Sequence, residues 1–431
     1  MANTNASSKN RRQRQINDVE YITSSAATSL LGVRRETLYT YVSRGLIKTV
    51  AAGKKSKLYR KADVEKLKSR AVARSGGPKV SHQLRYGAPI AQTFISEITE
   101  DGPRYRGVLA RDLVQDRRSF ESASELIWTG VARGRDVPWP ALTGVKRLDS
   151  LVQLTCQAAE PLTPLKLISM VTASLSAFER AEDDDQSSFA GCRRLLQTLA
   201  GTAGVFGPNK RFSPPLDGEF ISHCLARGLG IGDQEDAVVA LDAALVLSAD
   251  HELSAPTFCA RVCASTGADI HACVATAMLT QSGPMQVGGT VEVEALFDSL
   301  PRQLQPEDAL SRAAAEGFNS NELPCFSHPL YNGKDPRASV LLDVVSRLRV
   351  HGPDTPKMLA LVEGARRSDQ HPNLFAALVI LSKAMGLPSG IAAMLHTIAR
   401  TAGWVAHSIE QRLTGTMLRP RGRYMGASSA R

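Results

Sequence analysis

The sequence predicts a mainly helical protein with a small basic module at its N-terminal end. Of its 431 residues only 5% are aromatic, while Ala and Leu dominate long segments with helical spacing of apolar residues. Gly and Pro separate these segments from one another. Residues 1–85 carry 19 Lys/Arg against 5 Asp/Glu, whereas the remainder carries 33 against 37. A basic module beside a near-neutral body is typical of polyanion binding.

Length and composition restrict the class of protein. The chain is long enough for two or three domains with a sizeable core. It contains no apolar run of the 18 or more residues that a membrane span requires. The start, "MANTNASSKNRRQRQ", is polar and basic rather than signal-like, and the seven cysteines lack metal-ligand spacing. We therefore expect a cytoplasmic protein without membrane association, structural metal or tightly bound cofactor.

Residues 18–70 have the pattern of a helix-turn-helix followed by a wing, after a predicted disordered basic arm at 1–17. The apolar stripe of the first helix consists of Ala26, Ala27, Leu30 and Leu31. Gly32 supplies the turn, and a second helix over 34–44 places Leu38, Tyr41 and Val42 inward. Two short strands flank a turn at Gly53, and another helix follows. Residues 71–90, rich in Gly, Pro and Ser, are predicted to be a linker.

The stretches "TLYTYVSRGLI" and "LYRKADVEKL" resemble the winged helix-turn-helix of MerR-like and excisionase-like proteins. The resemblance implies DNA binding through the outer face of the second helix and the tip of the wing. The residues on these surfaces are Arg34, Arg35, Thr37, Thr40, Arg44, Lys54, Lys55 and Lys57. A small domain that contacts other proteins is the alternative.

From about residue 91 the sequence predicts one strand hairpin and then helices. The segment "TFISEITEDGPRYRGV" has two short strand patterns around the turn Glu100-Asp101-Gly102. Helices are predicted over 119–131, 236–248, 257–281, 336–350, 356–366, 373–386 and 389–412.

Four stretches combine His or Arg with loops shaped by Gly and Pro. They are "SADHELSAPTFCARVCASTGADI" (248–270), "GPMQVGGT" (283–290), "CFSHPLYNGKDPRA" (325–338) and "ARTAGWVAHSIEQRLTGTMLRPRGRYMG" (399–426). Guanidinium groups at junctions of loops and helices suit bidentate capture of carboxylates. The residues alone therefore predict a pocket for a small polycarboxylate, although a single His in a helix is more often structural.

These four stretches, in this order, resemble the motifs of the citrate synthase family over residues 91–431. The resemblance implies an all-α, normally dimeric body with a large domain (91–255 and 365–431) and a small domain (256–364). It also implies a set of residues that binds oxaloacetate or citrate, one of which, Arg419, reaches across the dimer interface. This set consists of His251, His328, Arg337, Arg400 and Arg419.

The residues that perform condensation in the family are only partly retained. Phe375 stands where the family has its carboxylate base, and Gln286 stands where a histidine hydrogen-bonds the thioester oxygen. Phenylalanine has no acid-base capacity, whereas Gln286 can still donate one neutral hydrogen bond. Loss of both groups is expected to lower the rate by at least about 10⁴-fold. His328 is the retained member of the catalytic set.

Two functions therefore remain open. The leading hypothesis is a DNA-binding regulator whose catalytically degenerate body, a pseudoenzyme, binds citrate or oxaloacetate as a sensor. The alternative is a divergent citrate or methylcitrate synthase-like transferase that condenses acyl-CoA with oxaloacetate. Acyl-CoA is accordingly a candidate ligand or substrate. The expected assembly is a homodimer, or a heterodimer with an active paralogue.

Overall fold

The chain has two compact units, Met1–Gln92 and Thr93–Arg431, each with a hydrophobic core. A computed structural model describes residues 21–31, 35–43, 46–51, 57–61, 63–64, 92–132, 134–158, 162–178, 189–331, 333–349 and 352–420. The predicted arm at 1–17 and the predicted linker at 71–90 lie outside these residues. The predicted division of the second unit into a large and a small domain stays a prediction.

The first unit contains a pair of helices and a small antiparallel sheet. Its elements are β1 (Tyr21–Ile22), α1 (Ser24–Leu31), α2 (Arg35–Ser43), β2 (Thr49–Ala51) and β3 (Lys57–Arg60). The strands pair in the order β1-β3-β2, with Val50 opposite Leu58. Leu38 of α2 is fully buried against Ala27 of α1 and Tyr59 of β3. The two helices and the two wing strands expected in this segment are therefore present. Gly32, Gly53 and most of the helix predicted after the wing lie outside the described residues, and the winged helix-turn-helix stays a prediction.

The residues predicted to contact DNA are described only in part. Thr40 of α2 and Lys57 of β3 are exposed, and Thr37 is half-buried. For Arg35 the structure describes the backbone in α2 but not the side chain. Four predicted contacts lie outside the described residues: Arg34, Arg44, Lys54 and Lys55.

The second unit begins with the expected hairpin. Strands β4 (Ser96–Thr99), β5 (Gly102–Tyr105) and β6 (Val108–Leu109) form an antiparallel sheet in that order. The hydroxyl of Thr99 donates to the carbonyl oxygen of Gly102 at 2.8 Å, which closes the predicted turn. Tyr105 is fully buried, and the sheet therefore anchors the helices that follow.

Helices make up most of the remaining described part. They are α3 (Ala110–Gln115), α4 (Phe120–Thr129), α5 (Val145–Ala158), α6 (Pro164–Phe178), α7 (Phe189–Thr202), α8 (Ile221–Leu229), α9 (Glu235–Ser248), α10 (Ala255–Ser265), α11 (Ile270–Gln281), α12 (Thr290–Ser299), α13 (Ala309–Ala315), α14 (Pro336–Ser346), α15 (Thr355–Arg366), α16 (Leu374–Ala384) and α17 (Ile391–Thr414). Short 3₁₀ turns cover Ala203–Phe206, Val287–Gly289 and Pro306–Asp308. Among the described residues no helix is long and apolar enough to cross a membrane.

One helix boundary differs from prediction. The expected single helix over 257–281 is divided into α10 and α11. Gly267 has a φ of +84°, a left-handed conformation that interrupts a helix. The carboxylate of Asp269 then accepts a hydrogen bond from the backbone N–H of Ala272 at 2.9 Å and begins α11. Because the apolar periodicity continues through the break, the sequence pattern alone predicts one uninterrupted helix.

Helix α17 is the central element of the second unit. It contacts α4, α6, α7, α9, α10, α11 and α16, and its Trp404 is fully buried. Left-handed glycines bound it at both ends, Gly390 with a φ of 84° and Gly415 with a φ of 63°. Because the helix is surrounded, polar side chains along it must find partners inside the protein.

Candidate active site

One face of α17 carries the polar residues around which the site is built. His396, Arg400 and His407 are separated by four and seven residues, which places them on the same side of the helix. All three are buried, and Arg400 is only 2% exposed. A buried guanidinium requires a negative partner, and here that partner is Asp250.

Asp250 lies in the turn after α9 and carries a negative charge inside the protein. Its Oδ1 is 3.0 Å from Arg400 Nη1, and its Oδ2 is 3.3 Å from His407 Nε2. The Ser96 hydroxyl also donates to Oδ2. Burial alone would raise the pKa of Asp250, but Arg400, His407 and the hydrogen bonds lower it to about 2. Asp250 and Arg400 therefore form a buried ion pair at neutral pH.

The remaining contacts of Arg400 hold its side chain in one orientation. Its Nη2 donates to the carbonyl oxygen of Glu252 at 3.1 Å and to the hydroxyl of Thr257 at 2.9 Å. Glu252 has a φ of 54°, so the backbone turns sharply here and presents its carbonyl to the guanidinium. The "ADHELSAPT" stretch thus surrounds Arg400 with acceptors.

His251, His328 and Tyr331 form a compact cluster beside this ion pair. His251 Nε2 is 2.8 Å from the Tyr331 hydroxyl, and the two imidazole centroids are 5.1 Å apart. The rings of His328 and Tyr331 are 4.8 Å apart. Burial and then the charge of Arg337 hold the pKa of His251 well below its ordinary value and lower that of His328 to about 4. Both histidines are therefore neutral at pH 7.

Arg337 lies beside Tyr331 of this cluster and is also ion-paired. Asp335 caps α14 and accepts from Arg337 Nε at 3.0 Å and from Nη2 at 2.8 Å. The same carboxylate accepts from the backbone N–H of Leu374 at 3.0 Å and so joins α14 to the start of α16. The guanidinium carbon is 5.7 Å from the ring centre of Tyr331.

The structure therefore brings together four of the five residues predicted to bind a carboxylate. It also shows that Arg400 and Arg337 are already paired with Asp250 and Asp335. Both aspartates stand within the quoted motifs, one residue before His251 and two before Arg337, but their role had not been assigned. The fifth predicted ligand, Arg419, lies on the exposed segment after α17, and its contact across a dimer stays a prediction.

The "GPMQVGGT" stretch is a tight turn. The backbone N–H of Gln286 donates to the carbonyl oxygen of Gly283 at 2.9 Å, and Val287 is fully buried. A Cβ on Gly288 would lie 2.6 Å from the carbonyl oxygens of Ser282 and Gly283, so this position requires glycine. Gln286 is half-buried at the start of the 3₁₀ turn.

Phe375 contacts a histidine that the sequence had not singled out. It lies in the first turn of α16, where the Asn373 side chain accepts from its backbone N–H at 2.9 Å. Its ring is 4.9 Å from that of His396, with the planes at 83°. The spacing of His396 four residues before Arg400 was the available sequence signal for its place in the site.

Other candidate sites are separate from this cluster. A surface cleft of about 770 Å³ is lined by Arg111, Lys334 and His371, with acidic residues beside them. Pro336 contributes to this cleft, but His251 and His328 do not. Within the described residues no group of three or more His, Cys, Asp or Glu is placed to hold a metal ion.

Comparisons with known proteins agree with this fold and its motifs. The family model of the citrate synthase C-terminal domain matches residues 85–421. A Mycobacterium tuberculosis protein named "Putative citrate synthase 2" is 31% identical over 361 residues, covering 78% of this chain and 90% of that protein. Citrate synthase of Haloferax volcanii is 26% identical, covering 79% of this chain and 94% of that one.

Solved structures agree as well. Citrate synthase of Thermoplasma acidophilum, in a ternary complex with carboxymethyl coenzyme A and oxaloacetate, superposes with a TM-score of 0.67 at 19% identity. The match covers 80% of this chain and 96% of that one. The structure from Thermotoga maritima gives a TM-score of 0.62, also at 19% identity. The mostly helical body predicted from the motifs is confirmed, and the chain belongs to the citrate synthase family.

Proposed function

We propose that the chain condenses an acyl-CoA thioester with a dicarboxylic 2-oxo acid such as oxaloacetate. Family membership supports this reading better than a purely regulatory one. Relatives include proteins named citrate synthase and, in Shewanella oneidensis, a 2-methylcitrate synthase that is 29% identical over 192 residues. The structural neighbour from Thermoplasma acidophilum is a complex with a coenzyme A derivative and oxaloacetate.

The observation that carries the proposal is the convergence of two neutral histidines with two buried arginines. His251 and His328 lie edge to face at 5.1 Å, and both are within electrostatic reach of Arg337. A neutral imidazole can donate a hydrogen bond to a ketone oxygen and later yield its proton to the alkoxide. The guanidinium edges outside the aspartate pairs suit the carboxylates of the same substrate. His328 would orient and polarise the ketone, and Arg337 and Arg400 would hold the acid groups.

Charge balance supports a dimeric site. The pairs Arg400–Asp250 and Arg337–Asp335 each sum to zero, so a doubly charged substrate would bring two uncompensated negative charges into a buried region. Burial of such charges is unfavourable unless further cations approach. Arg419 is exposed in the single chain and is expected to supply one of them from the partner protomer.

A thiol-release assay tests the function directly. Acetyl-CoA and propionyl-CoA are each supplied with oxaloacetate, and free CoA is measured. We expect turnover that falls by about 10²–10⁴-fold in His328→Asn, because the ketone loses its proton donor. His271→Asn is the matched control, since His271 is also buried but lies on α11 beside Asp269. Oxaloacetate binding without thiol release from either thioester would refute the enzyme and favour a sensor.

DNA binding by the first unit is a second candidate function. Its support is the concentration of basic residues in 1–85 together with the exposure of Thr40 and Lys57 on α2 and β3. We expect duplex DNA to bind with an affinity that falls steeply as salt is raised. Fluorescence anisotropy with and without oxaloacetate measures both the affinity and its dependence on the ligand. Absence of DNA affinity at low salt would exclude this function and the regulatory hypothesis with it.

A further inference from the structure

His396 is the buried titratable group of the site that the functions above leave without a role. It is 7% exposed, and its Nδ1 has no hydrogen-bond partner among the residues that the structure describes. Buried polar atoms are normally hydrogen-bonded, so an unpartnered ring nitrogen calls for an explanation.

The neighbour of His396 gives that explanation. By the resemblance described above, Phe375 stands where the family has its carboxylate base. Its ring is 4.9 Å from the His396 ring. Phe375 is half-buried, whereas the residues on either side of it in α16 are fully buried. The position that lost a base is therefore in direct contact with an imidazole from α17.

We propose that His396 is the general base that removes the α-proton of the acyl thioester in place of the carboxylate missing at position 375. The role rests on the condensing function proposed above. In this step the α C–H bond breaks, its proton moves to the unpartnered ring nitrogen, and its electron pair forms the enolate. The enolate carbon then bonds to the ketone carbon of the oxo acid, and the resulting alkoxide takes a proton from His328. The proton held by His396 returns through solvent to His328, so both imidazoles end neutral. The thioester is afterwards cleaved by water.

The protonation state of His396 agrees with such a role. Burial, and then the charges of Arg400 on its own helix and Arg337 on α14, hold its pKa well below the ordinary value. His251, from the turn after α9, also faces it and is neutral. His396 is therefore an unprotonated acceptor at pH 7. Carboxylates of a bound oxo acid beside the two arginines would offset their charges and make His396 more basic, so the dicarboxylate is expected to bind first.

The proposal extends to Gln286, which by the resemblance stands where the family has its thioester-binding histidine. Its side-chain amide can donate one hydrogen bond to the enolate oxygen, which an amide does without titrating. The pair of Gln286 and His396 would then replace the histidine and the carboxylate of the family.

Two rates separate this role from a structural one. The first is exchange of the α-hydrogens of acetyl-CoA in D₂O, followed by NMR with malate present as a dicarboxylate without a reactive ketone. The second is thiol release with oxaloacetate. In His396→Asn we expect both rates to fall by about 10²–10⁴-fold, because a general base contributes that much. Malate affinity should stay unchanged, since Arg337 and Arg400 remain.

A second substitution provides a rescue. When Phe375→Asp is added to the His396→Asn variant, the new carboxylate lies next to the position of the lost imidazole. We expect both rates to recover by at least about ten-fold relative to His396→Asn. The control variant His271→Asn should have the same exchange and thiol-release rates as the unsubstituted protein. Thermal unfolding checks that each variant is folded, and His396→Gln with the same rescue substitutes for His396→Asn if the latter does not fold.

The outcomes distinguish the two proposals. Unchanged rates in folded His396→Asn would overturn the base while leaving the condensing function intact. Exchange and thiol release that are absent from the unsubstituted protein, despite malate binding, would overturn both.

Discussion

Substitution of Gly403 by alanine tests the closest packing in the site. Gly403 lies in α17 one turn after Arg400, and a Cβ there would stand 2.1 Å from Asp250 Oδ1 and 2.7 Å from the carbonyl oxygen of Ala249. The backbone N–H of Gly403 donates to that same carbonyl at 3.1 Å, which prevents the helix from moving away. Carbon and oxygen ordinarily approach to about 3.3–3.6 Å. The Asp250 carboxylate would therefore have to shift by roughly 1 Å.

The expected change in the free energy of unfolding follows from opposing effects. Alanine in place of glycine inside a helix is worth about 1 kcal/mol in favour of folding. Overpacking costs about 1–3 kcal/mol. Damage to the buried Asp250–Arg400 pair adds part of the 3–5 kcal/mol seen when one partner is removed. We expect a net destabilisation of about 2–4 kcal/mol, together with weaker dicarboxylate binding because Arg400 loses its fixed orientation.

Urea denaturation followed by far-UV circular dichroism measures the free energy of unfolding. Gly134→Ala is the matched control, because a Cβ on Gly134 meets no atom within 4 Å. That control should be neutral or stabilising by up to about 1 kcal/mol. A Gly403→Ala variant as stable as Gly134→Ala would refute the close approach of α17 to Asp250.

Three further predictions concern the same unit. Burial and then the charge of Asp242 raise the pKa of Glu121 to about 8, so the folded state keeps a proton that the unfolded chain releases. The stabilisation of the folded state by this proton is fully present below the ordinary pKa of a glutamate and is lost as pH rises through 8. Glu121→Gln should therefore flatten the fall in the thermal unfolding midpoint between pH 5 and 9. An unchanged dependence of the midpoint on pH would contradict this prediction. Gly288→Ala should destabilise by about 1–3 kcal/mol in urea, since the added Cβ meets two carbonyl oxygens at 2.6 Å. Asp335→Asn should cost about 3–5 kcal/mol by the same assay, because it leaves the Arg337 guanidinium buried without its charge partner, and near-native stability would exclude this pair as a structural element.

Much of the helical body could be predicted from local sequence. Helices α9, α14, α15 and α16 lie within a few residues of their predicted ranges, because apolar spacing and capping residues act over one or two turns. The break between α10 and α11 could not be seen in this way, since the apolar pattern continues across it. Left-handed Gly267 and the cap at Asp269 decided that boundary.

For the candidate site, the sequence predicted only the residues expected to bind a carboxylate. The resemblance to the citrate synthase family implied that His251, His328, Arg337 and Arg400 bind one ligand, and the structure places these four residues together. Sequence order does not reveal which charges are already compensated. The structure places Asp250 3.0 Å from Arg400 and Asp335 2.8 Å from Arg337, so each arginine is already neutralised by a carboxylate.

The sequence by itself determined the family, the helical content and the absence of a carboxylate at position 375. Only the tertiary structure decided which side chain packs against that position. Phe375 and His396 lie 21 residues apart on α16 and α17, and their rings meet only because those helices pack together. Helical spacing specifies which side chains share a face, but the partner of that face depends on packing between elements distant in the chain.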